Sequence, residues 1–265
     1  MSSSITEGAA KQYATSEKLA ARARLHQAYS HDDNPWFPWV AGNLDLASGL
    51  DVLDVGCGPG WFWLGAGEAV PSGMRLTLAD LSRHMVEEAT ARCRGLAFAS
   101  VDAVVADAVS LPFPDASFDR VIAMHMLYHV RDQEAALAEM HRVLRPGGLL
   151  GVTTNDRDNL AALNALTTVF GTDGTEPAGA AFGFARAREL LMASFGNVDE
   201  RNNPGRLRIT EPEDVFMALT SYPPGDAAPD DQIAAFRGRI AEAFARGRGV
   251  LEAEKRMGLF LARRL

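Results

Sequence analysis

The sequence predicts an α/β protein built on a doubly wound, mostly parallel sheet. From residue 50 onward, short apolar runs typical of strands alternate with segments whose apolar residues have helical spacing. The glycine-rich stretch VLDVGCGPG at residues 52–60 closes the first of these runs. Strands separated by helices form right-handed βαβ units, so this alternation favours parallel strands in one sheet.

The elements expected between residues 50 and 155 follow one another closely. Strands are predicted at 50–55, 74–80, 101–107, 118–124 and 148–155, and helices from Trp61 and over 82–94 and 132–145. Ser82 has the residue type of a helix N-cap, and Pro146-Gly147-Gly148 is a helix stop signal. These boundary signals agree with the apolar pattern on both sides.

Residues outside this range give weaker patterns. Helices are predicted at 13–30, 158–170, 184–195, 211–222 and 230–246, extended chain at 198–203 and 205–210, and a closing strand at 256–264. The segment 171–183 is rich in glycine, threonine and proline, so we expect a mobile loop there.

Composition limits the classes of partner. The chain has 265 residues and a formal net charge of -8, which argues against nucleic acid as a partner, because phosphate backbones are held mainly by lysine and arginine. Its two cysteines, Cys57 and Cys93, show no metal-ligand spacing, and no apolar stretch suits a signal peptide or a membrane span. We therefore expect a cytoplasmic protein with no metal and no membrane partner.

The glycine motif differs from a dinucleotide fingerprint. That fingerprint, G-x-G-x-x-G, would place its third glycine at position 61, where this chain has Trp61; the third glycine is Gly60. An NAD-dependent oxidoreductase is therefore the less favoured interpretation. Asp80 and Asp107 end the next two strands, where carboxylates suit ribose hydroxyls and an adenine amino group, although a lone aspartate there is also a common turn residue.

Five motifs together carry a family resemblance. VLDVGCGPG, LADLS, ADAVSLPFPDASFDR, VIAMHMLYHV and EMHRVLRPGGLL, in this order and spacing, resemble class I S-adenosylmethionine-dependent methyltransferases, closest to the ubiquinone/menaquinone type and its small-molecule relatives. The resemblance implies a seven-stranded sheet with its last strand antiparallel, in a single domain over 1–265 with a cofactor-binding core at 50–155. It also implies substrate-covering segments at 1–40, 157–183 and 211–247. The implied cofactor is S-adenosylmethionine, with S-adenosylhomocysteine as product.

The resemblance also assigns roles to individual residues. It implies that the methionine part of the cofactor contacts Asp54, Gly56, Gly58 and Gly60, and that the ribose contacts Asp80. It implies that the adenine contacts Leu81, Asp107 and Ala108. His125 and Met126 are implied to lie near the sulfonium. Pro59 stands where many members of the family have threonine or serine, which removes a donor and keeps the turn.

Methyl transfer requires mainly that two reactants be held together in a dry pocket, and some acceptors also need a base. His129, then His125, is our candidate base, against the alternative of structural hydrogen bonding. Tyr13 is a candidate cofactor contact. Candidate substrate contacts are Tyr29, Trp36, Tyr128, Asn155 and Asp156, each with packing or turn formation as the alternative.

The sequence thus predicts a methyltransferase for a small, largely apolar metabolite in specialised metabolism. Carbon, nitrogen and oxygen all remain open as the acceptor atom. The alternatives are a regulatory protein that binds the cofactor without turnover and, less favoured, the NAD-dependent oxidoreductase. Exchange of the N-terminal segment between two subunits would produce a homodimer.

Overall fold

The computed structural model describes the chain from residue 17 to residue 265, with side chains from residue 23 onward. Tyr13 therefore lies outside the described residues. The chain divides into two compact units. The motif unit contains Asn34–Thr154, Phe182–Asn203 and Gly258–Leu265; the helical unit contains Asn155–Ala181, Pro204–Met257 and the described part of 1–33.

One seven-stranded sheet has the order β3-β2-β1-β4-β5-β7-β6. Its strands are β1 (Asp51–Val55), β2 (Arg75–Asp80), β3 (Ser100–Val105), β4 (Phe118–Met124), β5 (Leu144–Asn155), β6 (Asp199–Ile209) and β7 (Leu251–Arg263). The five strands β1 to β5 pair in parallel. The Gly147 N–H donates a hydrogen bond to the Arg264 carbonyl, and the Asp156 N–H donates to the Arg256 carbonyl. Because the later residue of the first segment pairs with the earlier residue of the second, β7 runs antiparallel to β5. The predicted fold class is confirmed.

The helices occupy the connections between these strands. They are α1 (Glu17–Tyr29), α2 (Trp36–Gly42), α3 (Trp61–Ala66), α4 (Arg83–Cys93), α5 (Gln133–Val143), α6 (Ala161–Asn164), α7 (Pro177–Phe182), α8 (Phe184–Phe195), α9 (Pro212–Leu219) and α10 (Asp230–Arg246). Short 3-10 turns cover Gly67–Ala69, Leu127–His129, Ala165–Phe170 and Gly225–Ala227. Ser82 caps α4 as predicted, because its hydroxyl accepts the Met85 N–H at 3.5 Å.

Some expected boundaries differ from the structure. Helix α5 ends at Val143, before Pro146, and the chain is already extended from Leu144; the residue preceding a proline disfavours helical backbone, which is consistent with an early stop. The expected loop at 171–183 contains α7, which starts at Pro177, a residue well suited to the first turn of a helix. The extended segments around Pro204 form one strand, β6.

Each unit has its own buried core. In the motif unit, one apolar cluster packs α5 and α8 against the sheet around Leu150 and Phe260, and a second packs around Trp63 and Leu76. The helical unit has a separate cluster around Phe236, joined by Leu25 of α1. The carboxyl ends of β1, β2 and β4, where ligands bind in doubly wound sheets, belong to the motif unit.

Among residues 17–265, no helix is long and apolar enough to cross a membrane.

Candidate functional site

The glycine turn after β1 is shaped by left-handed backbone. Gly56, Gly58 and Gly60 have φ values of 67°, 52° and 75°, which glycine adopts at little cost. A Cβ at Gly56 would lie 2.7 Å from Met126, whereas a Cβ at Gly58 would meet no atom within 4 Å. The turn therefore packs on one side against Met126 and is open at Gly58, where a ligand can approach the backbone.

Gly60 has a packing role that its place in the motif did not predict. A Cβ there would lie 3.1 Å from the Ala89 backbone and 3.3 Å from the Cys93 sulfur, both in α4. Helix α4 thus packs directly on this glycine. Position 60 requires glycine because its φ is positive and α4 approaches it closely. The contact of Gly60 with a cofactor stays a prediction.

Asp54 places a buried carboxylate just before the turn. Its side chain is 1% exposed; one oxygen accepts the Trp63 indole N–H at 2.8 Å, and the other has no hydrogen-bond partner within the described chain. Burial and, to a smaller extent, the charge of Asp80 raise the pKa of Asp54 to about 7, against the lowering effect of the Trp63 bond. A buried carboxylate with one unused oxygen fits a ligand ammonium group, such as that of a bound methionine moiety.

Asp80 holds the turn in place. One of its oxygens accepts the Gly58 N–H at 2.9 Å and the other accepts the Ser82 N–H at 2.8 Å. Burial raises the pKa of this carboxyl, and the backbone N–H bonds oppose the rise. Each carboxylate oxygen has a second lone pair, so ribose hydroxyls can donate to the same group. The next residue, Leu81, is 68% exposed, which leaves an apolar surface beside Asp80 that suits a purine face.

Asp107 forms a turn, which is the role that the sequence analysis gave as the alternative to an adenine contact. Its Oδ1 accepts the Val109 N–H at 3.1 Å, and its backbone carbonyl accepts from Ser110. The side chain is exposed, while Ala108 is 7% exposed. The turn fixes the carboxylate at the end of β3, so the turn role and an adenine contact are compatible.

His125 occupies a strained position after β4. Its φ is 50°, an uncommon value for a residue with a side chain, and its backbone N–H donates to the Thr153 hydroxyl at 3.0 Å. The imidazole ring lies 5.6 Å from the Trp36 ring, centroid to centroid. The structure therefore brings together Trp36, His125 and Met126 in the motif unit, beside the glycine turn.

His129 lies in the 3-10 turn Leu127–His129, and its backbone N–H donates to the Met126 carbonyl. Its ring is 4.4 Å from that of Tyr128, in an edge-on arrangement. Both side chains are partly buried. This position, one turn beyond β4, agrees with a candidate base without assigning that role.

The helical unit contains an amide and carboxylate cluster that the sequence did not predict. The Glu176 carboxylate accepts one bond from the Asn155 amide and one from the Asn164 amide, each at 3.2 Å. The Asn155 carbonyl oxygen is buried and has no hydrogen-bond partner in the described chain. Asp156 instead forms a turn, accepting the Asp158 N–H at 3.0 Å. Glu176 was missed because it lies in the segment expected to be a loop.

Tyr29 is engaged within the helical unit. Its hydroxyl donates to Asp214 at 2.6 Å, and Arg24 binds the same carboxylate at 2.8 Å. Burial and the Asp214 bond raise the pKa of Tyr29 to about 12. The interaction joins α1 to α9; the expected role of Tyr29 in covering a substrate stays a prediction. Among residues 17–265, no group of three or more His, Cys, Asp or Glu side chains is arranged to hold a metal ion.

Comparison with protein families finds a match to a methyltransferase domain over residues 53–152. Methyltransferase GfsG of Streptomyces halstedii is 41% identical over 112 residues, which are 41% of this chain and 39% of that protein. The demethylmenaquinone methyltransferase of Staphylococcus epidermidis is 36% identical over 128 residues, 48% of this chain and 52% of that protein. The 27-O-demethylrifamycin SV methyltransferase of Amycolatopsis mediterranei is 39% identical over 117 residues, covering 43% and 41%. The chain thus spans about two fifths to one half of the curated relatives it matches.

Solved structures support the same fold over most of the chain. The YcgJ protein of Bacillus subtilis superposes with a TM-score of 0.60 at 17% identity, covering 86% of this chain and 97% of that one. SpnF, described as a [4+2]-cyclase, superposes with a TM-score of 0.58 at 21% identity, covering 99% and 97%. At these identities the likeness establishes the fold alone.

Proposed function

We propose that this chain, in which residues 53–152 form a class I S-adenosylmethionine-dependent methyltransferase domain of the ubiquinone/menaquinone type, methylates a small, largely apolar metabolite in specialised metabolism. The observation that carries the proposal is the buried Asp54 carboxylate, which keeps an unused oxygen beside the glycine turn. S-adenosylmethionine is the methyl donor and S-adenosylhomocysteine the expected coproduct.

The residues around the turn fit this cofactor. We assign the ammonium group to Asp54, the ribose hydroxyls to Asp80, the purine face to Leu81, and the purine edge to Asp107 and Ala108. The support is the free oxygen of Asp54, the spare lone pairs of Asp80 and the exposed side chain of Leu81. The open face at Gly58 allows close approach to the backbone, while Gly56 and Met126 form the adjoining wall.

The bound cofactor supplies an electrophilic methyl group, and the protein needs mainly to position the acceptor and exclude water. A hydroxyl or acidic carbon acceptor also releases a proton, for which an imidazole is suited near neutral pH. We assign this role to His129, with His125 as the second candidate. His125 is also held at the carboxyl end of β4 by its bond to Thr153.

The names of the relatives guide the choice of acceptor. One relative, resE of Aspergillus sclerotiorum, is described as an O-methyltransferase, and another is described as a 27-O-demethylrifamycin SV methyltransferase. A third is described as a demethylmenaquinone methyltransferase. We therefore propose a hydroxylated or quinoid acceptor with Tyr128, Asn155 and Asp156 as substrate contacts. Segments 1–40, 157–183 and 211–247 would cover the substrate.

Further proposals concern partners and location. The net charge of -8 supports a small molecule in preference to nucleic acid. We also propose a homodimer formed by exchange of the N-terminal segment between subunits. We propose a cytoplasmic location because the two cysteines form no framework that would need an oxidising compartment. Size measurement in solution at several protein concentrations tests the dimer directly.

The proposal is tested in two steps. Calorimetry first measures binding of S-adenosylmethionine to the wild type, to Asp54→Asn and to Asp51→Asn, a control at the opposite end of β1. Because a hydrogen bond between charged groups contributes about 1.5 to 3 kcal/mol, Asp54→Asn should bind at least about tenfold more weakly, and Asp51→Asn should not. Equal affinity in all three proteins would contradict the assignment of Asp54.

The second step follows the labelled methyl group into candidate acceptors, beginning with 27-O-demethylrifamycin SV and demethylmenaquinone. Mass spectrometry then locates the methyl group. Binding of the cofactor without transfer across a wide acceptor panel would favour the alternative, a regulatory protein that binds S-adenosylmethionine. Failure of the wild type to bind the cofactor would reject both interpretations.

A further inference from the structure

The indole N–H of Trp36 is a buried donor with no acceptor among the described residues. Across residues 17–265, its nitrogen is one of the few buried side-chain polar atoms without a hydrogen-bond partner. Trp63 offers an internal comparison, because its N–H donates to Asp54 at 2.8 Å. A buried donor is normally paired, since water no longer solvates it. The nitrogen of Trp36 therefore requires an explanation.

The surroundings of Trp36 place this donor beside the candidate cofactor site. Trp36 is the first residue of α2, between Pro35 and Pro38, and it stacks on Trp39 at 5.6 Å with an interplanar angle of 20°. The Trp36 ring also lies 5.6 Å from that of His125, centroid to centroid. His125 is in turn fixed by its positive φ and by the bond from its backbone N–H to Thr153.

Trp36, Trp39 and His125 thus form an aromatic wall next to the carboxyl end of β4. Trp36 and Trp39 are held by stacking on each other, and His125 is held by its constrained backbone. Such a wall gives an apolar surface, with the Trp36 and His125 rings tilted by 45° to each other, against which an apolar ligand group can pack. The unpaired N–H adds one directional donor, which selects an oxygen atom at a defined place.

We propose that Trp36 binds a ligand oxygen through its indole N–H. The oxygen is either that of the cofactor carboxylate or a carbonyl, phenolic or hydroxyl oxygen of the methyl acceptor. This inference rests on the proposed function, since it takes S-adenosylmethionine and a small acceptor as the ligands. It extends that proposal by assigning one hydrogen bond to one atom.

Trp36→Phe is the decisive variant, because it removes the N–H and keeps a planar apolar ring. Trp36→Leu removes the ring as well, and Trp39→Phe is the matched control in the same stack. Because Trp36→Phe also removes part of a packed ring, its melting temperature should fall no further than that of Trp39→Phe. A clearly larger loss of stability in Trp36→Phe than in Trp39→Phe would indicate a structural role for the N–H and would overturn the proposal.

The cofactor arm uses calorimetry with S-adenosylhomocysteine and with 5′-methylthioadenosine, which lacks the amino-acid group. If the cofactor carboxylate is the acceptor, Trp36→Phe should bind S-adenosylhomocysteine about tenfold more weakly and 5′-methylthioadenosine unchanged. If the methyl acceptor carries the oxygen, both affinities should be unchanged. In that case the KM for the acceptor found in the screen should rise about fivefold, with little change in kcat.

The inference would be overturned if Trp36→Phe kept both the wild-type affinity for S-adenosylhomocysteine and the wild-type KM for the methyl acceptor. An equal weakening in Trp36→Phe and Trp39→Phe would also overturn it, because that result indicates general packing. If the wild type binds S-adenosylhomocysteine but methylates no acceptor, the proposed function fails and the cofactor arm alone decides. The two failures are therefore distinguishable.

Discussion

The two units of this protein use buried charge in different ways. In the motif unit, the buried Asp54 carboxylate has a neutral donor, Trp63, and one unused oxygen. In the helical unit, the Lys255 ammonium is 3% exposed and pairs with Asp32, itself 7% exposed, while also donating to Ser30 at 3.1 Å. A buried charge without a countercharge is available to a ligand, whereas a buried pair fastens one segment to another.

The Lys255–Asp32 ion pair connects parts of the helical unit that are far apart in the chain. Asp32 and Ser30 follow α1, and Lys255 lies on β7 among inward-facing residues such as Ala253. His31 also donates its backbone N–H to Arg206 of β6 at 2.9 Å. The segment after α1 is therefore held to two strands by one ion pair and backbone bonds.

Loss of the Lys255 charge should have the largest effect on stability. Lys255→Met leaves the Asp32 carboxylate buried without a cation, which typically costs about 3 to 5 kcal/mol in the free energy of unfolding. Chemical denaturation with urea measures the change. Arg208→Met is the control, because its bond to Glu252 is exposed and should contribute less than about 1 kcal/mol.

A double variant sharpens this result. Lys255→Met with Asp32→Asn removes both charges, so it should recover part of the stability lost in Lys255→Met alone. Equal stability of Lys255→Met and the wild type would contradict the contrast between the two units, because the ion pair would then not stabilise the attachment of the segment after α1.

The second largest effect concerns pH and His26 in α1. Burial, followed by the charge of Lys255, lowers the pKa of His26 to about 4, against a smaller raising effect of Asp32. The unfolded chain therefore binds a proton near pH 6.5 that the folded chain binds only near pH 4. Stability should fall as the pH drops from about 6.5 to 4, by at most about 3 kcal/mol.

His26→Gln tests the source of this pH dependence, because glutamine keeps a polar side chain and does not titrate. The variant should show a smaller decrease in unfolding free energy between pH 6.5 and 4 than the wild type. An unchanged slope would show that carboxylates elsewhere cause the loss of stability.

The motif unit should respond to pH through ligand binding. Since the pKa of Asp54 is raised to about 7, cofactor binding to its ionised form should strengthen as the pH rises from 6 to 8. The expected change is about tenfold in the affinity for S-adenosylhomocysteine, with proton release on binding near pH 7. Calorimetry in buffers of different ionisation enthalpy measures both, and Asp54→Asn should abolish the proton release.

The sequence predicted the motif unit well because its signals are local. Asp80 and Ser82 adjoin the end of β2, and each could be recognised from its immediate neighbours. Strand β7 shows the opposite case, since it begins at Leu251, before the predicted start at residue 256. Lys255 interrupts the alternation of inward-facing apolar residues there, and its partner Asp32 is 223 positions away in the chain. No local pattern indicates that such a lysine is buried.

The same limit applies to the candidate site. The strand-end residues Asp54 and His125 could be proposed as site residues because they lie within motifs. The free oxygen of Asp54, the unpaired N–H of Trp36 and the bonds that hold Glu176 depend on packing between distant segments. Residue type thus allowed a hypothesis about the chemistry of the site, whereas it could not indicate which hydrogen-bonding atoms lack a partner among the described residues.

The smallest expected effect tests an exception within the helical unit. Asn155 donates to Glu176 but keeps a buried carbonyl oxygen without a partner, which resembles the pattern of the motif unit. In Glu176→Gln, the bonds from Asn155 and Asn164 lose their charged acceptor, so the free energy of unfolding should fall by about 1 kcal/mol. Glu254→Gln, at an exposed carboxylate, is the control and should change it by less than about 0.5 kcal/mol. If Glu176→Gln keeps wild-type stability but raises the KM for the acceptor, the cluster serves the substrate and the contrast between the units holds only for Lys255 and Asp32. If stability falls and KM is unchanged, the cluster fastens α6 to the segment before α7, as the Lys255–Asp32 pair fastens the segment after α1.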